Sequence, residues 1–219
     1  TTQALSVIRK QADEPWSDPS VLWTRSGSGA LPAPGLAVDA TGTATVVWRQ
    51  ADSAGKWDLV VSRAPQSGAW SAPEVVSAKV GLGPTVVRGT PAGDVLVVYR
   101  RYRATVKAVR YAGGWGEPVL LGAADPAVKD LDAAIDPSGR AVALWSPQAV
   151  PGALGDGVLA AMMTPGGDWG PVSILLPPGQ LIARGSLHAG AGDGDLLAAW
   201  SRRHGDGTFV VTARVRAAG

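Results

Sequence analysis

The chain has 219 residues, of which 46% are hydrophobic and 17% are charged, and its formal net charge is +2 at pH 7. This length suits one domain with a sizeable core, and so small a charge argues against nucleic acid or an anionic membrane as a partner. The sequence contains no cysteine, which excludes disulfides, thiolate metal sites and cysteine nucleophiles. The apolar runs are far shorter than the roughly 20 residues that cross a bilayer, so we predict no membrane span.

Short β-type runs separated by turns follow one another along the whole chain. The N-terminal residues predict a strand over 4–9 and another over 16–23, and then a pattern of four strands, A to D, recurs. The predicted strands of the four copies are 35–38, 43–48, 58–63 and 70–76; 85–88, 94–99, 105–111 and 115–121; 131–135, 140–145, 157–163 and 169–176; and 186–190, 195–200 and 208–215. No segment shows the sustained 3.6-residue periodicity of a helix.

Aromatic residues mark the repeat twice in each copy. Every strand B ends in an aromatic residue, at Trp48, Tyr99, Trp145 and Trp200, and these positions are 51, 46 and 55 residues apart. Out of phase with them, a Trp followed by Pro two or three residues later recurs at Trp16, Trp70, Trp115 and Trp169. Repeats of about 40–50 residues made of strands and turns are typical of propeller blades.

We therefore predict an all-β fold, a β-propeller of four-stranded antiparallel blades. Four repeats and an incomplete N-terminal one are recognisable, which gives four to five blades. The predicted domain covers 1–219, with a partial repeat at 1–27, repeats at 28–78, 79–123 and 124–178, and a partial repeat at 179–219.

The two ends of the chain are out of register with each other. The N-terminus supplies strands C and D, and the C-terminus supplies A, B and C, which is one strand more than a four-stranded blade needs. Three alternatives remain: a four-repeat ring with an extra strand, a five-blade ring with two incomplete blades, or a piece of a larger propeller. A homo-oligomer joined through the terminal strands is a further expectation, because a free strand edge can pair with another chain.

The pattern Asp39-x-x-Gly42-x-Ala44-x-Val46-Val47-Trp48, followed by Gly68-x-Trp70-Ser71-x-Pro73, resembles repeats of bacterial secreted β-propeller proteins. It also looks like the blades of propeller lectins and sialidase-like proteins. The resemblance covers essentially the whole chain, but its motifs are turn and core positions. The sialidase Asp-box, Ser-x-Asp-x-Gly-x-Thr-Trp, is not reproduced, and the catalytic set of three arginines, a tyrosine and a carboxylate has no residue-by-residue match here. The resemblance therefore does not imply sialidase catalysis.

Candidate binding residues lie in the B–C loops, which should all emerge on one face of a propeller. Trp57 and Tyr102 are aromatic residues outside the repeat pattern, so blade packing does not explain them. The predicted ligand-binding set is Trp57, Arg101, Tyr102, Arg103, Arg202, Arg203 and His204. The repeated Trp16, Trp70, Trp115 and Trp169 either stack on sugar rings or, as we favour, pack between blades.

The sequence predicts a non-enzymatic ligand-binding module, secreted or at the cell surface, that recognises a carbohydrate or another surface ligand. We predict no catalytic residues, no metal site and no cofactor, and the expected partner is a glycan or surface ligand. One alternative is a glycan-cleaving, sialidase-like enzyme that uses acidic residues such as Asp130 and Asp132. The other is a protein-interaction scaffold or a fragment of a larger propeller.

Overall fold

Strands built from short Val-, Leu- and Ala-rich runs make up nearly all of the regular structure. The computed structural model describes residues 2–27, 31–52, 54–102, 105–123, 127–147, 157–177, 187–192, 195–204 and 207–215. Within these ranges there are 17 strands and no helix. Accordingly, none of the described residues belongs to a helix that could cross a membrane.

The strands form five antiparallel sheets, which we number I to V and which follow one another along the chain. Sheet I contains β1 and β2, sheets II, III and IV contain four strands each, and sheet V contains three. In each of sheets II to V the strands are hydrogen-bonded in chain order, as in a propeller blade. The strands are β1 (Thr2–Val7), β2 (Ser20–Ser26), β3 (Gly35–Val38), β4 (Ala44–Ala51), β5 (Trp57–Ala64), β6 (Glu74–Ser77), β7 (Thr85–Gly89), β8 (Val95–Arg101), β9 (Thr105–Tyr111), β10 (Val119–Ala123), β11 (Val128–Ile135), β12 (Ala141–Pro147), β13 (Val158–Met163), β14 (Ser173–Leu176), β15 (His188–Gly192), β16 (Asp195–His204) and β17 (Gly207–Val215).

This architecture confirms the predicted all-β propeller of four-stranded antiparallel blades. Strands A, B and C lie close to their predicted positions. Strand D is shorter than predicted, because Trp70, Trp115 and Trp169 precede it and lie in the C–D turn. The predicted association through the terminal strands stays a prediction.

The core lies between the sheets. Side chains along each strand B point alternately to the two faces of its sheet, which explains how one sheet packs on two neighbours. In β4, Val46 and Trp48 pack with Leu5 and Trp23 of sheet I. Val47, one residue along, is in a cluster with residues of sheet III. Since successive side chains of a strand point to opposite faces, a strand buried on both faces reads as a continuous apolar run. The aromatic residues that end the B strands, Trp48, Tyr99, Trp145 and Trp200, are all buried.

Strand A of each of sheets II to V lies beside strand A of the next sheet along the chain: β3 contacts β7, β7 contacts β11, and β11 contacts β15. Asp132 of β11 connects three of these strands. Its carboxylate lies 2.5 Å from the Arg88 guanidinium of β7 and accepts a hydrogen bond of 2.9 Å from the Ala189 amide of β15. Asp132 is buried, so these contacts give its charge the partners that burial demands. Its position favours a role in joining blades.

The A–B turns of sheets II and IV are each held by a carboxylate that accepts hydrogen bonds from the backbone of the turn. In sheet IV, Asp136 Oδ1 accepts hydrogen bonds from the Ser138 amide at 2.9 Å, the Ser138 hydroxyl at 2.6 Å and the Arg140 amide at 3.0 Å. Its Oδ2 accepts from the Arg140 guanidinium at 2.9 and 2.8 Å. Asp39 makes the same kind of turn in sheet II with Thr41 and Thr43. This is the physical reason for the Asp that begins these two turns.

The carboxylate of the Asp136 turn makes the stability of the fold depend on pH. Burial alone would raise the pKa of Asp136, but the hydrogen bonds from Ser138 and Arg140 outweigh burial and hold that pKa below its ordinary value of 3.8. The ionised carboxylate therefore stabilises the fold above pH 3.8, and this contribution is lost as the pH falls through the lowered pKa. We expect Asp136→Asn to be less stable than the parent at pH 7, and the difference to shrink as the pH falls toward 2. Urea unfolding across this pH range measures it.

Asp168→Asn, at an exposed turn residue, is the matched control and should follow the parent protein at every pH. A stability deficit of Asp136→Asn that persists unchanged at the lowest pH would contradict the assignment.

Candidate functional site

A cavity of about 710 Å³ opens between sheets II and III, where two B–C loops meet the segment that joins the sheets. The B–C loop of sheet II supplies one wall and the B–C loop of sheet III the other. The segment 78–84, which connects strand D of sheet II to strand A of sheet III, forms the floor. The cavity is lined by Gly55, Lys56, Trp57, Lys79, Gly81, Leu82, Arg101 and Tyr102.

Trp57 is positioned by a closed loop at the start of β5. It pairs with Ala51 of β4, and just before it the Asp52 amide donates a hydrogen bond to the Lys56 carbonyl at 2.7 Å. Asp52 Oδ1 accepts hydrogen bonds from the amides of Ala54 at 2.9 Å and Lys56 at 2.7 Å, which fixes the turn. The guanidinium of Arg25, from sheet I, lies 5.5 Å from the centroid of the Trp57 ring. This cation–π contact connects the indole to sheet I.

The floor segment is hydrogen-bonded to both walls. The Val80 amide donates to the Trp57 carbonyl at 2.7 Å, and the Tyr102 amide donates to the Val80 carbonyl at 2.9 Å. Gly81 adopts a φ of +71°, and a Cβ there would lie 3.6 Å from the Cβ of Tyr102. These bonds couple the positions of Trp57 and Tyr102 through one residue.

A buried arginine supports the floor from below. Arg49 of β4 is 3% exposed, and its guanidinium donates to Thr85 Oγ1, to the carbonyls of Pro84 and Arg100 at 3.0 Å each, and to the carbonyl of Gly81. Burial, with a smaller effect of Arg100, lowers the pKa of Arg49 to about 10. Arg49 therefore remains charged at neutral pH and fixes the backbone on which the cavity stands.

The structure brings together three of the predicted binding residues. Trp57, Arg101 and Tyr102 line the same cavity, and Tyr102 is 72% exposed. Arg103 lies outside the described residues. Arg202, Arg203 and His204 end β16, where their backbones pair with Phe209, Thr208 and Gly207 of β17, and the description does not extend to their side chains. These three residues stay a prediction.

Sequence analysis missed the residues that the connecting segment contributes to the cavity. Lys79, Gly81 and Leu82 belong to a D–A connection, and that connection carries no repeated motif. The one available signal was Leu82, an apolar residue beside two glycines, and it is exposed in the structure. Their role follows only from the way sheets II and III pack side by side.

The repeated Trp residues make contacts between sheets. The Arg9 guanidinium lies 4.9 Å from the centroid of the Trp70 ring and donates to the carbonyls of Ala64 at 2.9 Å and Gln66 at 2.8 Å. Trp115 packs edge-on against Tyr111 of its own sheet, with ring centroids 5.4 Å apart, and both rings pack against the core cluster that sheets II and III share. These contacts favour packing between blades as the role of Trp70 and Trp115.

A second cavity of about 720 Å³ lies at the Trp70 turn, between sheets I and II. Trp16 lines it and is 63% exposed. Arg9 already covers one face of Trp70 there, and backbone carbonyls accept its hydrogen bonds. The cavity between sheets II and III is the stronger candidate, because its aromatic residues lie outside the repeat and its cationic side chains make no ion pair with the described residues.

No protein-family model matches the chain, and no curated protein matches it. The solved structures that are similar in fold include two sialidases and a polysaccharide lyase. An ulvan lyase, a polysaccharide lyase solved with a bound saccharide, has a TM-score of 0.55 and 13% identity, over 92% of this chain and 61% of that one. A Hadza microbial sialidase has a TM-score of 0.52 and 15% identity, over 82% of this chain and 43% of that one. A mutant of the NanB sialidase from Streptococcus pneumoniae has a TM-score of 0.52 and 11% identity, over 89% of this chain and 32% of that one. This chain thus spans less than two thirds of the length of each, and the likeness shows the β-propeller fold alone.

Proposed function

We propose that this chain is a carbohydrate-binding propeller module and that the cavity between sheets II and III is its binding site. The observation that carries the proposal is the meeting of Trp57 and Tyr102, two aromatic residues from neighbouring blades, in one open cavity. The three structurally similar proteins are named as enzymes that act on glycans, which supports a ligand of the same broad class. The proposal includes a secreted or cell-surface location, where such ligands are met.

The chemistry of the lining suits a sugar ring. Aromatic faces bury the apolar C–H face of a sugar, while flanking polar groups take its hydroxyls, and cavities of this size hold small ligands. Tyr102 exposes most of its side chain to water in a folded protein, and exposed aromatic surface next to a concave wall is typical of a binding site. The hydrogen bonds through Val80 hold both aromatic residues in place before a ligand arrives, which lowers the entropy cost of binding.

The proposal is for binding and not for cleavage, because Asp132, one of the acidic residues suggested for catalysis, has a different role. It is buried between blades and bonded to Arg88 and to the amides of Ala133 and Ala189. A general acid or nucleophile must face an open cleft with its oxygen free to reach a glycosidic bond. Asp132 therefore supports the blades, and the cavity at Trp57 has no carboxylate in its described lining.

A glycan array tests the proposal, followed by titration calorimetry with the best oligosaccharide. We expect Trp57→Ala and Tyr102→Ala each to weaken binding about fivefold or more, since a lost stacking contact is worth about 1 kcal/mol or more. Thermal melts of both variants check that the fold is retained.

Trp16→Ala is the control, since it removes an exposed aromatic residue from the other cavity. It should leave the affinity unchanged. Loss of binding in Trp16→Ala with full binding in Trp57→Ala would move the site to the cavity between sheets I and II. Silence across the array would remove the carbohydrate proposal.

A further inference from the structure

The cavity between sheets II and III carries only positive charge. Lys56, Lys79 and Arg101 are three of its eight lining residues, one from each of the three segments that build it. None of the described lining residues is acidic. Within the described residues, none of these three cations makes an ion pair, whereas Arg88, Arg110 and Arg140 all do.

The acidic residues closest in sequence to this cavity are engaged by the backbone. Asp52 Oδ1 accepts from the amides of Ala54 and Lys56, and Asp58 Oδ1 accepts from the Lys79 amide at 2.7 Å. Neither carboxylate belongs to the lining. Their role is to shape the two loops that carry Lys56 and Lys79, and the cationic side chains are left facing the ligand space.

Two further guanidinium groups lie under the floor. Arg49 is buried and bonded to three carbonyls and a hydroxyl, and Arg100 donates to the Leu82 carbonyl. No carboxylate of a described residue pairs with either of them. The positive charge below the floor therefore adds to that of the rim. Clefts lined by one sign of charge, with low-dielectric walls, concentrate the field and attract ligands of the opposite sign.

We propose that this cavity selects anionic saccharides, in which an uronate carboxylate or a sulfate ester accompanies the sugar ring. This inference rests on the proposed carbohydrate function and names its ligand class. Trp57 and Tyr102 take the apolar face of the ring, and Lys56, Lys79 and Arg101 form charge-assisted hydrogen bonds with the anion. The planar guanidinium of Arg101 suits a bidentate contact with a carboxylate or a sulfate.

The experiment is titration calorimetry of the full chain with three hexasaccharides: oligogalacturonate, a sulfated oligosaccharide, and neutral cellohexaose. We expect at least one of the two anionic probes to bind tenfold or more tightly than the neutral one. The better anionic probe identifies which anion the cavity accepts. Because Lys56 and Lys79 are exposed to solvent, raising sodium chloride from 50 to 300 mM should weaken this binding several-fold.

Charge-neutralising variants then locate the contact. Lys79→Gln and Arg101→Gln should each weaken binding of the anionic probe about five- to tenfold and should weaken binding of cellohexaose clearly less. Lys10→Gln is the matched control, because Lys10 is exposed and does not line this cavity. It should leave the affinity for all three probes as it is.

The outcomes separate the two proposals. Equal affinity for charged and neutral probes, with no effect of Lys79→Gln or Arg101→Gln, overturns the anionic preference and leaves carbohydrate binding intact. Binding of none of the three probes, together with silence on the array, overturns both. A poly-glutamate peptide with the same charge as the anionic saccharide serves as a competitor. If it displaces the saccharide and binds with the same affinity, the cavity recognises charge alone, and this too overturns the inference.

Discussion

Trp145→Ala is expected to lower the free energy of unfolding by about 3–5 kcal/mol, the range for truncating a large aromatic residue in a packed core. Trp145 is 0% exposed and belongs to the cluster that joins sheets III and IV. Its ring lies so close to Gly122 that a Cβ added there would be 2.9 Å from the ring. The two sheets therefore close on the indole and cannot collapse into the space it would leave. Guanidinium unfolding monitored by circular dichroism measures the loss.

Two variants make this result specific to packing. Among the described residues the indole nitrogen of Trp145 has no hydrogen-bond partner, so Trp145→Phe loses volume alone and should cost clearly less than alanine. Trp70→Ala removes the same side chain from a half-buried turn and should cost about 1–2 kcal/mol, in line with a smaller buried area. Equal losses for Trp70→Ala and Trp145→Ala would show that the C–D turns carry as much of the stability as the core between blades.

The positions of strands A, B and C could be predicted because their pattern has a direct physical cause. A strand B such as β8 is buried on both faces, so it reads as an unbroken apolar run that ends at Tyr99. The position of strand D was predicted less accurately, because the repeated Trp that was assigned to it belongs to the preceding turn. There the Ser71 amide donates to the Arg63 carbonyl at 2.8 Å, and the Gly116 amide to the Arg110 carbonyl at 2.9 Å. These bonds hold the turn along the end of strand C before the ladder with strand D begins.

The candidate site was predicted in part, for a reason that its residues make plain. Trp57 and Tyr102 were recognisable because they fall outside a repeat that accounts for most of the other aromatic residues. Lys79 had no such signal, since its place in the cavity depends on the path of a non-repeated connection. For Arg49 the sequence signal was misleading. An arginine that follows an apolar strand suggests a strand end exposed to solvent, whereas Arg49 is buried in the structure. Contacts between blades, which sequence periodicity does not encode, decide both positions.

Arg49→Met is expected to lower the free energy of unfolding by about 3–5 kcal/mol, because it removes the guanidinium donors from four half-buried acceptors and leaves no charge there to replace them. The carbonyls of Gly81, Pro84 and Arg100 and the hydroxyl of Thr85 all lose a charged partner. Methionine fills much of the volume of the arginine stem, so the loss reports the hydrogen bonds more than a cavity. Arg49→Lys should recover part of the stability, since an ammonium group can reach only some of the four acceptors. Urea unfolding of the three proteins provides the ranking.

The same substitution should also weaken ligand binding, although Arg49 does not line the cavity. Gly81 and Val80 belong to the floor that Arg49 holds, and Val80 connects Trp57 to Tyr102 through two backbone hydrogen bonds. A looser floor lets the two aromatic residues separate, so part of the binding energy must be spent on ordering them. Arg100→Met is the control for charge, because Arg100 also lies under the floor and its guanidinium makes a single hydrogen bond to the described residues, to the Leu82 carbonyl. We expect Arg49→Met alone to weaken binding of both the anionic and the neutral probe, because Arg49 holds the floor in place. If instead both variants weaken binding of the anionic probe equally and neither weakens binding of the neutral probe, Arg49 acts through its charge.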